Sequence, residues 1–372
     1  MKQKKEILLI SHAFIKKINT SICEILASKY KFKVSIICPK ILYEKSRIYP
    51  DYKKIRHIKK IYFLKTQFSH LRLMVYRKIY LVLKKNNFKH IILDSDPVSL
   101  QSFILIFYSF FFNFRVSYFS NENRILEKNK PIKKLIKIVF LKILHKIIKN
   151  KVYNIFCYTN QIKKNLEELG YKKNLIVAPL GYNNKIFFKK NTRSTNKFII
   201  SYFGRIEPEK GVHTLVKALT LINIKKFIFF LDVLHLNNMK YYRTITKDLE
   251  ILKIRGQLRF IKPSYKNIAN VMRKSYITVV PSEWNEQYGR VIQEASACGS
   301  LVIGSDVGAI PEIIFKKKFI FKNKNIIDLK NKIENIYYNK KKFKKEFAKI
   351  YKYIITNRSV FNQAKILQAH LS

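Results

Sequence analysis

Two glutamates, Glu286 and Glu294, are separated by seven residues within a stretch rich in small and special-backbone residues. Residues 281–312 read PSEWNEQYGRVIQEASACGSLVIGSDVGAIPE. Two carboxylates near one site could act as the acid and the nucleophile or base of a glycosidase. They could also accept hydrogen bonds from the hydroxyls of a sugar or ribose. The purely structural alternative is one glutamate at a helix start and one exposed on the helix.

A second group combines glycines with basic residues, in the segment from Gly204-Arg205 to Lys210-Gly211. It follows the apolar run 198–203 and precedes a helical pattern. Glycines at such a point let the backbone approach a ligand closely. Two cations beside a helix N-terminus would suit a phosphate or diphosphate. An ordinary strand-to-helix loop that happens to hold two basic residues is the competing interpretation.

The elements that must position these residues follow from the apolar pattern. Runs of strand length alternate with segments of helical period, and most runs are continuous, as is typical of parallel strands covered on both faces. The pattern predicts an α/β protein with two doubly wound, Rossmann-like domains. The predicted strands are Ile7–Ser11, Val34–Cys38, His90–Leu93, Val116–Phe119, Ile155–Tyr158, Leu175–Ala178, Phe198–Phe203, Phe227–Asp232, Leu258–Ile261, Ile277–Val280, Leu301–Ile303 and Phe319–Phe321.

The same pattern places the two glutamates. The strand ending at Val280 puts Glu286 in a loop, and small and apolar residues after Gly289 predict a helix with Glu294 about one turn inside it. The loop amides of Gln287, Tyr288 and Gly289 are then expected to point toward a group bound at the helix start. A polar stretch, residues 189–196, predicts the boundary between the domains.

These residues carry a resemblance to a known family. The segments are Phe203-Gly204-Arg205, Lys210-Gly211, Pro281-Ser282, Glu286-x-Tyr-Gly-Arg-Val-Ile-x-Glu294-Ala, Gly299, Val302-Ile303 and Gly308-x-x-Pro311-Glu312. Together they resemble the retaining nucleotide-sugar glycosyltransferases of family 4. The likeness is dense over residues 200–315, and 178–187 is similar to the family's segment that closes the first domain. It implies the GT-B fold, in which two Rossmann-like domains face a central cleft.

The resemblance implies a role for each matching position. Arg205 and Lys210, after Gly204, would neutralise the donor diphosphate, so no metal and no cofactor are expected. Glu294 would accept hydrogen bonds from the nucleotide ribose. Glu286 would contact the donor sugar, helped by the amides of residues 287–289. Arg205, Lys210 and Glu286 are therefore the expected catalytic residues.

The resemblance also assigns the domains. Residues 1–190 would form an acceptor-side domain and 191–357 the nucleotide-sugar-binding domain, with a helix over 358–372 packing back on the first. The family's glycine pair after the first strand is absent, and so is a histidine that many relatives have after the strand Val116–Phe119. His12 and Glu122 are the acceptor-side candidates that remain.

Charge offers a rival interpretation. The formal net charge is +52, from 75 Lys and Arg against 23 Asp and Glu, which suggests an anionic partner such as nucleic acid, an acidic membrane or a phosphorylated substrate. The same excess of Lys, with Ile, Asn, Phe and Tyr, is expected of a very AT-rich coding sequence. A nucleic-acid-binding protein would leave Glu286 and Glu294 unexplained, so no nucleic acid is expected as a partner.

The remaining patterns bear on location. Three of the four cysteines lie in or beside apolar runs and look like small core residues. The four show no paired spacing, which argues against a zinc site or disulfide framework and favours a reducing cytoplasm. The apolar run 103–112 is too short to span a bilayer and predicts a buried helix. Residues 131–149 have helical apolar spacing with lysines off the stripe. Such a helix would cover the sheet, and its lysine face could also touch an anionic membrane.

The sequence therefore predicts a glycosyltransferase that moves a sugar from a nucleoside-diphosphate sugar to a hydroxyl acceptor, with retention. The expected acceptor is a cell-envelope glycan or a lipid-linked precursor. The expected location is the cytoplasm, with peripheral contact to the inner face of the membrane. A catalytically inactive scaffold of the same fold and a basic nucleic-acid-binding protein are the alternatives.

Overall fold

The computed structural model describes residues 5–43, 47–68, 72–121, 143, 146, 148–190, 197–232, 238–261 and 264–371. The chain divides into two compact units, Met1–Gly181 with Val360–Ser372, and Tyr182–Ser359. Residues 191–196 of the predicted boundary lie outside the described part of the chain.

The first unit is built on a parallel seven-stranded sheet. Its order is β11-β10-β9-β8-β1-β2-β5, and it is accompanied by two short antiparallel pairs, β3-β4 and β6-β7. The bounds are β1 Glu6–Ile10, β2 Lys33–Pro39, β3 Leu42–Tyr43, β4 Arg47–Ile48, β5 Lys60–Leu64, β6 Thr66–Gln67, β7 Val75–Tyr76, β8 His90–Asp94, β9 Arg115–Ser120, β10 Asn154–Cys157 and β11 Leu175–Val177.

Helices cover this sheet. They are α1 Ser21–Ser28, α2 Ile79–Lys84, α3 Leu100–Ser109 and α4 Asn160–Glu168, with the last helix of the chain, α12 Val360–Leu371. The predicted C-terminal helix thus belongs to the first unit, where Asn154 donates from Nδ2 to the carbonyl of His370 at 3.1 Å. In this unit, α3 and α4 each begin with a side-chain cap. The hydroxyl of Ser99 accepts a hydrogen bond from the backbone amide of Ser102, and the hydroxyl of Thr159 accepts one from the amide of Ile162.

The second unit holds a parallel six-stranded sheet of order β14-β13-β12-β15-β16-β17. Its strands are β12 Phe198–Tyr202, β13 Phe227–Asp232, β14 Leu258–Ile261, β15 Ile277–Val280, β16 Leu301–Ser305 and β17 Ile320–Phe321. Its helices are α5 Val212–Leu221, α6 Met239–Ile254, α7 Tyr265–Lys274, α8 Arg290–Ala297, α9 Ile310–Ile314, α10 Ile326–Tyr338 and α11 Lys340–Asn357.

All twelve predicted strands are present, within one or two residues at each end. Their apolar runs work because both faces of a central parallel strand are covered: every residue of β12 and of β15 is buried. The edge strand β5 was not predicted. It is half-exposed and lies among lysines, so it lacks the continuous apolar run of a central strand.

The prediction of a buried helix over 103–112 is wrong in one respect. A helix is present, but Phe107, Phe110 and Phe111 are exposed at its carboxyl end and in the turn that follows. The helix covers the sheet with its other face, where Leu105 is fully buried. An all-apolar run gives no periodicity from which the covered face could be read.

The expected core placement of the cysteines is confirmed and extends to all four, which are free thiols in buried positions. None of the helices in the described part of the chain combines the length and the apolar character that a bilayer crossing requires.

Candidate functional site

The second sheet changes direction between β12 and β15. From β12 the chain continues outward to β13 and β14, and from β15 it continues the opposite way to β16 and β17. In open parallel α/β sheets, the crevice outside the carboxyl ends of the strands at such a point is the usual ligand site. The loops 204–211 and 281–289 follow these two strands, so both predicted groups lie at the switch point of one sheet.

The two loops approach each other at backbone distance. Gly211 has φ +64°, and a Cβ on it would lie 1.9 Å from the carbonyl oxygen of Pro281. The amide of Glu283 donates to the carbonyl of Glu209 at 2.9 Å. Only glycine fits at residue 211, because any side chain would push the loops apart.

Lys210 and Glu286 join the loops through their side chains. Lys210 Nζ donates to Glu286 Oε2 at 2.7 Å, and the side chains are only 17% and 16% exposed. The same Oε2 accepts from Ser282 Oγ at 3.0 Å and from Trp284 Nε1 at 3.2 Å. The ammonium also lies 5.2 Å from the centre of the Trp284 ring, within cation–π range.

These contacts determine the charge state of Glu286. Burial raises the pKa of its carboxyl, but the nearby charge of Lys210 and the hydrogen bonds from Lys210, Ser282 and Trp284 outweigh burial and hold the pKa below its ordinary value. Glu286 is therefore an ionised acceptor at neutral pH, compensated by one ammonium group.

The backbone of Glu286 is held by the loop after β16. Gly308 has φ +53°, and a Cβ there would lie 2.3 Å from the carbonyl oxygen of Glu286. The amide of Ala309 donates to that same oxygen at 2.7 Å. Gly308, part of the motif noted in the sequence, is thus needed for the position of Glu286.

Arg205 lies on the other side of the β12 loop and is 42% exposed. Its guanidinium spans two carboxylates, with Nη1 at 2.7 Å from Glu207 Oε2 and Nη2 at 2.7 Å from Glu209 Oε1. The hydroxyl of Tyr202 donates to the carbonyl of Arg205 at 2.6 Å. Neither glutamate was predicted to interact with Arg205.

Glu294 lies inside α8, as predicted, and is buried. Its Oε1 accepts from Arg290 Nη2 at 3.3 Å. Burial raises the pKa of Glu294, and the charge of Arg290 offsets only part of that effect. Tyr288 is also buried, and its hydroxyl accepts from Gln293 Nε2 at 2.8 Å. The side chain of Tyr288 therefore packs within the unit, while Gln287 is half-buried.

A further set of residues at this loop was missed in the sequence. Glu283 Oε1 accepts from Thr214 Oγ1 at 2.6 Å and lies 3.1 Å from His213 Nε2. The other ring nitrogen of His213, Nδ1, lies 2.7 Å from the hydroxyl of Tyr241. These residues come from three separate segments of the chain. Glu283 lies within the stretch 281–312, but the other residues lie outside it and belong to no motif.

The first sheet has its own switch point, between β1 and β8. Asp94 at the end of β8 accepts from Ser11 Oγ at 2.5 Å and from the Tyr158 hydroxyl at 3.1 Å. His12 is half-buried and is the next residue in the chain after Ser11 of this cluster. The other acceptor-side candidate, Glu122, lies outside the described residues.

Asp96 extends this cluster. It accepts from Ser120 Oγ at 2.8 Å and from the amide of Asn121 at 3.1 Å, and it pairs with Arg72 at 3.3 Å. Asp94 and Asp96 were not predicted, although an Asp-x-Asp pair directly after a strand is a readable signal in a chain with so few acids.

Comparison with solved structures identifies the fold. A glycosyltransferase from Rickettsia africae superposes with a TM-score of 0.75 at 17% identity, covering 99% of this chain and 98% of that one. The Anabaena protein HepE, solved with UDP and glucose, gives 0.72 at 14% identity and 98% coverage of both chains. Two parallel α/β units of this kind are the GT-B fold, and the predicted fold class is confirmed.

Sequence comparison adds a family match. Residues 183–353 match the model of the glycosyl transferases group 1. An uncharacterized glycosyltransferase of Methanocaldococcus jannaschii is 30% identical over 207 residues, which cover 52% of this chain and 54% of the relative. The chain thus spans about half the length of that curated relative. The residues matched by the family model include the loops that hold Lys210 and Glu286.

Proposed function

We propose that the protein is a glycosyltransferase that moves a sugar from a nucleoside-diphosphate sugar to a hydroxyl acceptor. The observation that carries the proposal is the Lys210–Glu286 ion pair, which joins the loops after β12 and β15 at the switch point of the family-matched unit. A cation and an ionised carboxylate held together there offer a partner for a diphosphate and an acceptor for sugar hydroxyls.

Departure of the nucleoside diphosphate is the step that needs positive charge. Lys210 is held in place by Glu286 and Trp284, and Arg205 is half-exposed at the mouth of the same loop. We propose that both side chains contact the diphosphate oxygens, with Arg205 exchanging one of its two glutamates for the ligand. Fixed cations at the leaving group lower the barrier without reorganisation during the reaction. No metal ion is required in this scheme.

The two glutamates then recognise the donor. Glu286, ionised and oriented by three donors, would accept hydrogen bonds from the sugar hydroxyls through its Oε1. Glu294 would accept from the ribose hydroxyls, the role that the family resemblance gives it. The amides of Gln287, Tyr288 and Gly289 precede α8 and would contribute donors at the helix start. Retention of configuration is part of the proposal and rests on the resemblance.

The acceptor would bind to the first unit. The polar cluster around Asp94 at the switch point of that sheet supplies hydroxyl-binding groups, with His12 adjacent in sequence. We propose a glycan or lipid-linked precursor of the cell envelope as acceptor, and a cytoplasmic enzyme in peripheral contact with the membrane. The basic segment 131–149 on which that contact was predicted lies almost entirely outside the described residues.

A thermal-shift screen tests the donor site directly. UDP, GDP and their sugars are added to the wild-type chain and to Lys210→Ala, because a ligand that binds only the folded form raises Tm. Lys217→Ala is the matched control, since Lys217 lies on α5 and pairs with Asp248 instead. We expect a nucleotide-dependent shift in the wild type and the control, and loss of the shift in Lys210→Ala.

Absence of a shift with every nucleotide would overturn the proposal. So would nucleotide binding without sugar transfer to any hydroxyl acceptor, which would leave the inactive scaffold as the better description. A shift that appears only with oligonucleotides and disappears steeply with salt would favour the nucleic-acid-binding alternative.

A further inference from the structure

Large apolar side chains form an exposed surface on α2 and at the carboxyl end of α3. Phe107, Phe110 and Phe111 are 59%, 65% and 68% exposed, and Tyr80 and Leu81 are 40% and 46% exposed. We call these five residues the aromatic surface. An isolated exposed phenylalanine is ordinary, but five large exposed apolar residues on two neighbouring helices mark an interaction site.

The rings are in contact rather than scattered. The rings of Phe107 and Phe111 are 5.2 Å apart, and Tyr108 joins the two helices because its ring lies 5.7 Å from that of Phe107 and 5.8 Å from that of Tyr80. Tyr80 of α2 is therefore joined through Tyr108 to Phe107 and Phe111 in one apolar patch on the first unit.

The patch is surrounded by positive charge. Arg77, Lys78, Lys84, Lys85 and Lys89 are all exposed on or beside α2. Lys151 Nζ lies 4.7 Å from the centre of the Phe110 ring. The sequence contains no Asp or Glu between residues 52 and 93 or between 97 and 121, so the segments that build the patch carry only positive side chains.

A pocket adjoins the patch. It has a volume of about 370 Å³ and lies between the end of α2 and the turn after α3, lined by Lys84, Lys85, Asn86, Asn87 and Asn113 among others. Lysine and asparagine residues thus line this pocket, next to the aromatic surface. This combination matches the chemistry of a phosphoryl headgroup that has an acyl region beside it.

We propose that the aromatic surface docks the first unit on an anionic lipid bilayer. The phenylalanines enter the boundary between headgroups and acyl chains, while Lys84, Lys85 and their basic neighbours face the anionic headgroups. Aromatic side chains favour this boundary, and each cation near the surface adds attraction to anionic lipid. The inference rests on the proposed function for its purpose, because docking would bring the enzyme to a lipid-linked acceptor.

A partner protein or a second copy of the chain would have to bring acidic groups to balance these cations. A second copy brings the same excess of lysine, so two patches would repel each other electrostatically. A nucleic acid would need separate ring faces for base stacking, whereas the rings of Phe107 and Phe111 lie against each other at 57°. The surface therefore fits a bilayer better than either alternative.

The test is sedimentation of the full chain with vesicles, without donor or acceptor. One set contains phosphatidylglycerol and phosphatidylcholine, and the other phosphatidylcholine alone. The variants are Phe107→Ser/Phe110→Ser/Phe111→Ser and Lys84→Ala/Lys85→Ala. The matched control is Ile254→Ser/Ile327→Ser/Tyr338→Ser, which removes three exposed apolar residues from the second unit.

We expect the wild type and the control to sediment with the anionic vesicles. Each patch variant should bind at least about tenfold more weakly. Unchanged nucleotide-induced shifts of Tm in the patch variants would show that folding and the donor site are intact. That readout separates failure of this inference from failure of the proposed function.

Three results would overturn the inference. The aromatic variant could bind the anionic vesicles as well as the wild type does, or the wild type could bind both vesicle types equally. Gel filtration could also show a dimer that the aromatic variant dissociates, which would assign the surface to a second copy of the chain.

Discussion

Lys210 Nζ lies 2.7 Å from Glu286 Oε2, although the two residues are 76 positions apart in the chain. The pair joins the loop after β12 to the loop after β15, with both side chains largely removed from water. A half-buried ion pair of this kind adds little net stability, because desolvation of the two charges offsets their attraction. In the proposed function, the pair positions a cation and an acceptor for the donor.

Lys210→Ala should weaken nucleotide binding about 10- to 100-fold, because it removes a charge-assisted contact to the diphosphate. Titration calorimetry with the nucleotide that gives the largest thermal shift measures this. Lys217→Ala should bind as the wild type does. Equal affinities of Lys210→Ala and the wild type would exclude a diphosphate contact for Lys210.

Glu286→Gln should change the pH dependence of stability. The folded-state pKa of Glu286 is lowered, so its ionised form contributes stability above the ordinary carboxyl value of 4.5 that is lost as pH falls through the folded pKa. The wild type should therefore lose more stability than the variant between about pH 5 and about pH 3. Urea unfolding across this pH range measures the free energy of unfolding of both proteins. The prediction would be contradicted if the free energies of the wild type and the variant fell by the same amount.

Glu294→Gln should stabilise the free protein while weakening nucleotide binding. Burial raises the folded pKa of Glu294, so holding it ionised at neutral pH costs stability that the amide does not cost. Tm at pH 7 should rise by about 1–3 °C. The gain should shrink in acid, where the glutamate is protonated in both states. Calorimetry with nucleotide gives the second readout, and unchanged affinity would remove Glu294 from the donor site.

Gly211→Ala and Gly256→Ala form a matched pair. Both glycines have φ near +65°, but a Cβ at Gly256 meets nothing within 4 Å, whereas at Gly211 it meets the Pro281 carbonyl at 1.9 Å. Gly256→Ala should cost about 1–2 kcal/mol from backbone strain alone. Gly211→Ala should cost about 2 kcal/mol more and should also weaken nucleotide binding. Urea unfolding measures the free energy of unfolding of both variants. Equal losses in the two would contradict the close approach of the loops that hold Gly211 and Pro281.

Asp94→Asn should separate acceptor from donor functions. Asp94 accepts hydrogen bonds from the hydroxyls of Ser11 and Tyr158. Asparagine has the same shape as aspartate but carries no charge. Nucleotide affinity should stay within about twofold of the wild type, while sugar transfer falls by about tenfold or more. An equal loss of nucleotide affinity and of sugar transfer would show that Asp94 supports the folded structure and does not contact the acceptor.

Much of the proposed donor site could be predicted from local sequence pattern. The glycine–cation segment after one strand and the Glu-x7-Glu segment after another were each recognisable, because apolar strands, helix periods and glycines are short-range signals. The partners of Arg205 were not recognisable. Glu207 and Glu209 lie in the same turn, and only the path of the loop shows that both face the guanidinium.

The aromatic surface shows a feature that the sequence pattern predicted wrongly. The run 103–112 predicted a helix, which is present, but also burial, which is wrong at Phe107, Phe110 and Phe111. A helix apolar all round does not reveal which face the sheet covers. That depends on how the helix packs against β7, β9 and α2, which its own sequence pattern does not show.

The sequence by itself determined the strands, several helices and the residue types at the proposed donor site, because each depends on a few neighbouring residues. The tertiary structure alone decided that β15 pairs with β12, and this pairing brings Glu286 to Lys210. The physical reason is that strand order depends on how separate apolar faces pack together, and no local pattern encodes that choice.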